Sequence, residues 1–160
     1  MTSETPSKIK RVYVDTSVFG GMFTKKFGPD TKPFWNAVQN GEFIVILSNL
    51  LIEELTGAPR QVRDFFDSLP DSQIERVVST EESDNLAHRY IAENVVGESS
   101  LDDCKHIAMA TIANADVLIS WNFKHIVNLR RIEGYNGVNM KQGYPQIQIR
   151  TPYEVANGET

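Results

Sequence analysis

The sequence predicts an α/β fold, a three-layer sandwich in which helices cover both faces of a central, mostly parallel sheet of about five strands. Two observations carry this expectation. Short runs that are apolar on every residue recur along the chain, and they alternate with longer segments of helical period. A strand apolar on both sides has to be covered on both faces, which is the condition of a sheet lying between helices.

The elements follow in order. Residues 11–14, Arg11-Val12-Tyr13-Val14, are β-branched and aromatic and read as a buried strand that stops at Asp15-Thr16-Ser17. Gly20-Gly21 reads as a flexible bend, since neither a G-K-[ST] nor a G-x-G-x-x-G phosphate loop surrounds it. A helical pattern covers 33–39. Residues 43–47, Phe43-Ile44-Val45-Ile46-Leu47, form a second strand, halted by Ser48, a good N-cap for a helix over 48–56. A helix over 59–69, a short strand over 74–78 and a helix over 81–96 ended by Gly97 come next. The spacing then predicts a helix over 101–114, a strand over 117–121 and a fifth strand over 146–150, at an edge because Gln alternates with Ile. Residues 10–152 are expected to form a single domain, with 1–9 and 153–160 as loose polar termini.

Composition excludes several classes. The 160 residues include 16 Lys+Arg against 21 Asp+Glu, a net charge of −5, and 41% are hydrophobic, enough for a core without disulfides or a structural metal. The lone Cys104 leaves no cluster for zinc or iron–sulfur binding, so a reducing cytoplasm is the expected setting. No apolar run approaches the roughly 20 residues needed to cross a bilayer, so no membrane partner is expected. The negative balance argues against a general positive coat for nucleic acid and directs attention to where the acids sit.

In parallel sheets ligands bind beyond the carboxyl ends of the strands. Asp15 follows the first strand directly, although Asp-Thr-Ser also suits a simple turn. On a helical wheel, Glu54 falls between Leu50 and Leu51 on the apolar face of its helix, where a carboxylate needs a hydrogen-bonding or cationic partner. Ser100 and Asp103 have capping-box spacing, but Ile107 and Ala110 also place Asp103 at the border of the buried face, whereas Asp102 falls on the polar side. Asn122 follows the fourth strand on the same edge, as a helix cap or a site residue. Asp116 lies at the opposite end of that strand. Carboxylates about 5 Å apart repel by roughly 3 kcal/mol at an effective dielectric of about 20, so a bound cation or shifted protonation is required. Hard oxygen donors without a Cys or His pair favour Mg²⁺ or Mn²⁺ over Zn²⁺, and such ions recruit phosphate oxygens.

Four segments, Val14-Asp15-Thr16-Ser17, Ser48 with Glu54-Leu55, the run from Asp103 to Ala110, and Ile119-Ser120-Trp121-Asn122-Phe123, together resemble the PIN domain, and within it the VapC-like toxin ribonucleases. The resemblance spans roughly residues 10–127. It implies a parallel sheet between helices, a Mg²⁺- or Mn²⁺-dependent endoribonuclease acting on RNA, and the toxin role in a type II toxin–antitoxin pair. Carried over by position, it implies that Asp15, Glu54 and Asp103 are metal-binding acids. Asn122 stands where many members have a fourth aspartate, and Ser17 matches a supporting hydroxyl. Metal-assisted hydrolysis is the implied mechanism, with Asp103 a candidate to orient or deprotonate the attacking water.

Other residues receive weaker readings. His106 and His125 each have an ordinary helical explanation and are assigned no role, nor is His88. Lys25, Lys26, Lys124, Arg130 and Arg131 are candidate phosphate contacts, Lys124 first because it neighbours Asn122. Phe65, Phe66 and Leu69 make a helix face apolar enough to bind a partner or form a homodimer, with core packing the default expectation. The rival readings are a PIN-like RNA- or protein-binding module that does not cut, which Asn122 favours, and a small-molecule phosphatase, which lacks a D-x-D motif after the first strand.

Overall fold

A computed structural model describes residues 9–158. Its sheet has five strands in the order β3-β2-β1-β4-β5, formed by β1 (Lys10–Val14), β2 (Phe43–Ser48), β3 (Ile74–Val77), β4 (Val117–Ile119) and β5 (Ile149–Arg150). Every pairing is parallel, including β1 with β2 at Val12↔Val45 and β1 with β4 at Val12↔Val117. The expected sandwich is present, and β5 is at an edge as its Gln/Ile alternation indicated.

Period-two alternation sends neighbouring residues of each central strand into opposite layers. Val12, Val14, Val45, Leu47, Val117 and Ile119 belong to one core, while Tyr13, Ile46 and Leu118 belong to the other. The first core is closed by α1 (Ser17–Gly21), α2 (Gly28–Gln39), α3 (Asn49–Leu55), α4 (Arg60–Asp67) and α8 (Pro152–Ala156). The second is closed by α5 (Glu81–Ala92), α6 (Leu101–Ile112) and α7 (Leu129–Lys141). Phe65 and Phe66 pack against the first core and Leu69 is buried in it, so this helix face is occupied internally.

Local chemistry explains where the elements depart from expectation. Gly20 and Gly21 end a helix, α1, and are not a bend; a Cβ on Gly21 would stand 2.8 Å from Trp121 Cδ1, so this glycine permits close packing. Helix α2 begins before Pro33, because Pro29 occupies its first turn, where the missing N–H is tolerated. Helices α5 and α6 stop short of the expected ends because Asn94 and Asn114 take positive φ, 62° and 55°. Val95 N then donates to Tyr90 O and Ala115 N to Ala110 O, closing both helices in Schellman turns. Helix α7 was not anticipated; Asn128 caps it by accepting from Arg131 N. The tail expected to be loose from 153 instead carries α8, held by a Thr151/Glu154 capping box with Val155 buried; residues 1–8 and 159–160 of the expected termini lie outside the described residues.

Candidate active site

The carboxyl ends of β1 and β4 are joined by a lattice of hydroxyls. Asp15 continues the strand pairing, its N donating to Ile119 O at 3.1 Å. Its Oδ2 accepts from Ser17 Oγ at 2.6 Å and from Ser120 Oγ at 2.8 Å. Those hydroxyls accept in turn from the backbone beyond β4: Trp121 N donates to Ser17 Oγ and Asn122 N to Ser120 Oγ, both at 2.9 Å. One carboxylate oxygen of this buried aspartate is therefore fixed, and the other, Oδ1, lies 3.8 Å from His106 Nε2. Ser17, which the resemblance matched to a supporting hydroxyl, lies at this junction. Ser120, at the same junction, was not singled out in the sequence.

Glu54 stands at the rim, where the wheel had put it inside the apolar cluster. Leu51 and Leu55 pack into one core and Leu50 against the other, so α3 straddles the sheet edge and Glu54 projects between the layers with its side chain 32% exposed. Its Oε1 accepts from His106 Nε2 at 2.8 Å and from the Thr16 hydroxyl. Burial raises the Glu54 pKa, but the hydrogen bonds from His106 and Thr16 and the imidazole charge outweigh it and hold the carboxyl below its ordinary 4.5.

His106, set aside on sequence grounds, is a member of this site. It is 1% exposed, and its Nδ1 lies 2.7 Å from the Tyr13 hydroxyl. An ionised carboxylate only accepts, so Nε2 carries the proton toward Glu54; in the neutral ring, Tyr13 donates to Nδ1. Burial pushes the Tyr13 phenol well above its ordinary 10, so it remains a donor. Burial lowers the His106 pKa, but Glu54, Asp15 and Asp103 together raise it above 6.5. One signal could have revealed this residue: His106 is three positions after Asp103 and shares its helix face.

Asp103 opens α6 without serving as its cap, since Ser100 makes no side-chain capping bond. Its Oδ2 accepts from Asn122 Nδ2 at 3.3 Å. The other end of that amide, Oδ1, accepts from His125 N at 2.9 Å and Lys124 N at 3.2 Å, so Asn122 is both turn cap and partner to the acid. Burial, then the charge of Asp15 and more weakly that of Glu54, raises the Asp103 pKa above 3.8 against the opposing pull of His125 and His106. Asp102 is exposed, as the wheel indicated. Lys124, Lys25 and Lys26 are exposed near this edge, whereas Arg131 is tied to the Val95 carbonyl.

The structure thus brings Asp15, Glu54, Asp103 and Asn122 to one edge, linked by Ser17, Ser120, Thr16 and His106. Among the described residues, no hydrogen bond reaches Asp15 Oδ1, Glu54 Oε2 or Asp103 Oδ1. These are hard donors suited to a hard cation. Among the described residues there is also no group of three or more His, Cys, Asp or Glu side chains spaced to hold one metal ion, and Glu54 Oε1 is engaged by His106 and Thr16. The donor set fits an ion that takes one or two carboxylates and keeps much of its water, the habit of Mg²⁺.

The same architecture occurs in a solved structure. Mycobacterium tuberculosis VapC20, a Sarcin-Ricin loop cleaving toxin, superposes with a TM-score of 0.53 over 86% of this chain and 98% of its own, at 14% sequence identity. The fold is PIN-like. At that identity the likeness concerns the fold alone. No family model matches the sequence. No curated protein matches it either. No helix among the described residues is long and apolar enough to cross a membrane.

Proposed function

We propose that the chain is a Mg²⁺- or Mn²⁺-dependent endoribonuclease that hydrolyses RNA phosphodiester bonds, and that it is the toxin of a toxin–antitoxin pair working in the cytoplasm. The observation that carries this reading is the convergence of Asp15, Glu54 and Asp103, with Asn122, at the carboxyl edge of a PIN-like sheet. The toxin assignment draws its support from the fold of VapC20, and the antitoxin partner belongs to that assignment.

Asp15 and Asp103 are the direct donors in this reading. A divalent ion bound by them would polarise the phosphodiester and lower the pKa of the attacking water. Ser17 and Ser120 orient Asp15, and Asn122 orients Asp103. Glu54, held by His106 and Thr16, would accept from water carried by the ion. Asp103 is the candidate proton acceptor, because burial and the charge of Asp15 raise its pKa above the ordinary carboxylate value. It would take a proton from the attacking water as the new P–O bond forms and the bond to the ribose oxygen breaks, with a solvent water protonating the departing oxygen.

Cleavage of single-stranded RNA in Mg²⁺ or Mn²⁺ tests the proposal, with EDTA and the variants Asp15→Asn and Asp103→Asn as controls. Loss of cleavage under chelation and in both variants is the expected result; cleavage that persists in all three defeats it. RNA binding without cleavage in the wild type would favour the non-cutting module, the reading to which Asn122 in place of a fourth acid points.

A further inference from the structure

Beside the carboxylates, the same edge carries an aromatic cluster that hydrolysis does not use. Phe27 stacks on Trp121 with ring centroids 4.6 Å apart and planes inclined by 20°. Phe123 lies 6.1 Å from Trp121 and 6.3 Å from Phe27, and it is 49% exposed. The cluster is braced from below. Trp121 is buried, its Nε1 donates to Thr31 Oγ1 at 2.9 Å, and Gly21 leaves room for its ring.

Cations border the rings. Lys26 Nζ lies 5.2 Å from the Phe27 centroid, within cation–π range, and Lys124 follows Phe123 in sequence. Lys25, Lys26 and Lys124 are exposed and form no ion pair among the described residues. The cluster is also tied to the acids, because Asn122, between Trp121 and Phe123, donates to Asp103. A half-exposed phenyl ring on a rigid aromatic base, flanked by ammonium groups, has the chemistry that holds an unpaired nucleobase: the ring stacks on the base and the lysines meet the adjoining phosphates.

We propose that Phe123, backed by Trp121 and Phe27, stacks against a base next to the scissile phosphate, while Lys26 and Lys124 engage flanking phosphates. The proposal rests on the ribonuclease reading and assigns that site its substrate-positioning surface. A base inside a duplex cannot present its face to Phe123, so the surface selects loops, bulges and single strands.

The test uses the full chain and a short fluorescent oligoribonucleotide, with Asp103→Asn as the background for binding. Phe123→Ala is expected to weaken binding about 10-fold, within the range for one lost base stack, and Phe123→Trp to restore it. Replacing one nucleotide at a time by an abasic residue should reveal a position at which Phe123→Ala has no further effect. Lys124→Ala should flatten the slope of log affinity against log salt by about 0.7. In the cleaving enzyme, Phe123→Ala should raise KM with little change in kcat. Unchanged binding in Phe123→Ala, or an undiminished effect at every abasic position, overturns the stacking role. So does a Phe123→Ala effect confined to self-association or to a protein partner. If the wild type binds RNA through Phe123 but cuts none with Mg²⁺ or Mn²⁺, the nuclease reading fails and the stacking surface stands; cleavage with unaltered KM in Phe123→Ala removes the stacking surface alone.

Discussion

The two ends of the sheet treat acidic side chains in opposite ways. At the amino end, Arg11 donates through Nε to Glu75 Oε1 at 2.9 Å and through Nη2 to Oε2, while its guanidinium also reaches the carbonyls of Asn114 and Ala113. Asp116 accepts there from Arg11 N at 2.8 Å. The fork-to-fork pairing holds the Glu75 carboxyl below its ordinary 4.5. At the carboxyl end, Asp15 and Glu54 face the His106 imidazole, and among the described residues no Lys or Arg ion-pairs with Asp15, Glu54 or Asp103. The first arrangement satisfies its charge internally. The second leaves its carboxylates without a Lys or Arg partner, which is the condition the proposed cation site needs.

The largest expected effect breaks the second cluster. Asp103→Asn should reduce RNA cleavage by about 10²- to 10⁴-fold, the usual contribution of a positioned base. Because burial and neighbouring carboxylates disfavour the Asp103 charge, the same change should raise the melting temperature at neutral pH. A fall in both activity and stability would mean that Asp103 is structural. His106→Leu comes next: losing the group that aligns Glu54 should lower kcat about 10- to 100-fold, the range for residues that support a metal site from outside its direct donors. Activity at wild-type level would remove His106 from the site.

Glu75→Gln sharpens the contrast from the other end. This pair is partly exposed, so its loss should cost about 1 kcal/mol after solvent screening, or roughly 2–4 °C in melting temperature, and leave RNA cleavage unaltered. The smallest effect is in the pH dependence of stability, measured in metal-free buffer. Glu75 has a lowered pKa, so its contribution is present above 4.5 and is lost as pH falls through the folded value. His106 has a raised pKa, so its contribution is full below 6.5 and is lost as pH rises through the folded value. The stability gap between wild type and His106→Leu should accordingly narrow on the alkaline side, while the gap for Glu75→Gln narrows only in acid.

The acids were legible because each breaks a local rule: Asp15 ends an apolar strand, Glu54 interrupts an apolar helix face, and Asp103 borders one. Ser120, Thr16 and Tyr13 break none. A serine after a strand, a threonine in a turn and a tyrosine in a strand are ordinary there, so their part depends on what stands across from them. His106 received no role because a histidine in a helix has many local explanations, and its partners Glu54 and Tyr13 are 52 and 93 residues away in the chain. Helices α1 and α8 are too short for periodicity to register and rest on packing, through Val18 and Phe19 in one and Val155 in the other.

By itself the sequence determined the layers, the parallel sheet and the edge at which the acids gather, because apolar runs and their terminating residues are local and burial acts on each segment alike. Only the tertiary structure decided which oxygens are held by Ser17, Ser120, Thr16 and Asn122, that a buried imidazole stands among the carboxylates, and that an aromatic surface with lysines adjoins them. Those are pairings between distant segments. They come into being when β1 and β4 pair side by side and α3 and α6 cross their ends, so their chemistry is a property of the assembled sheet edge.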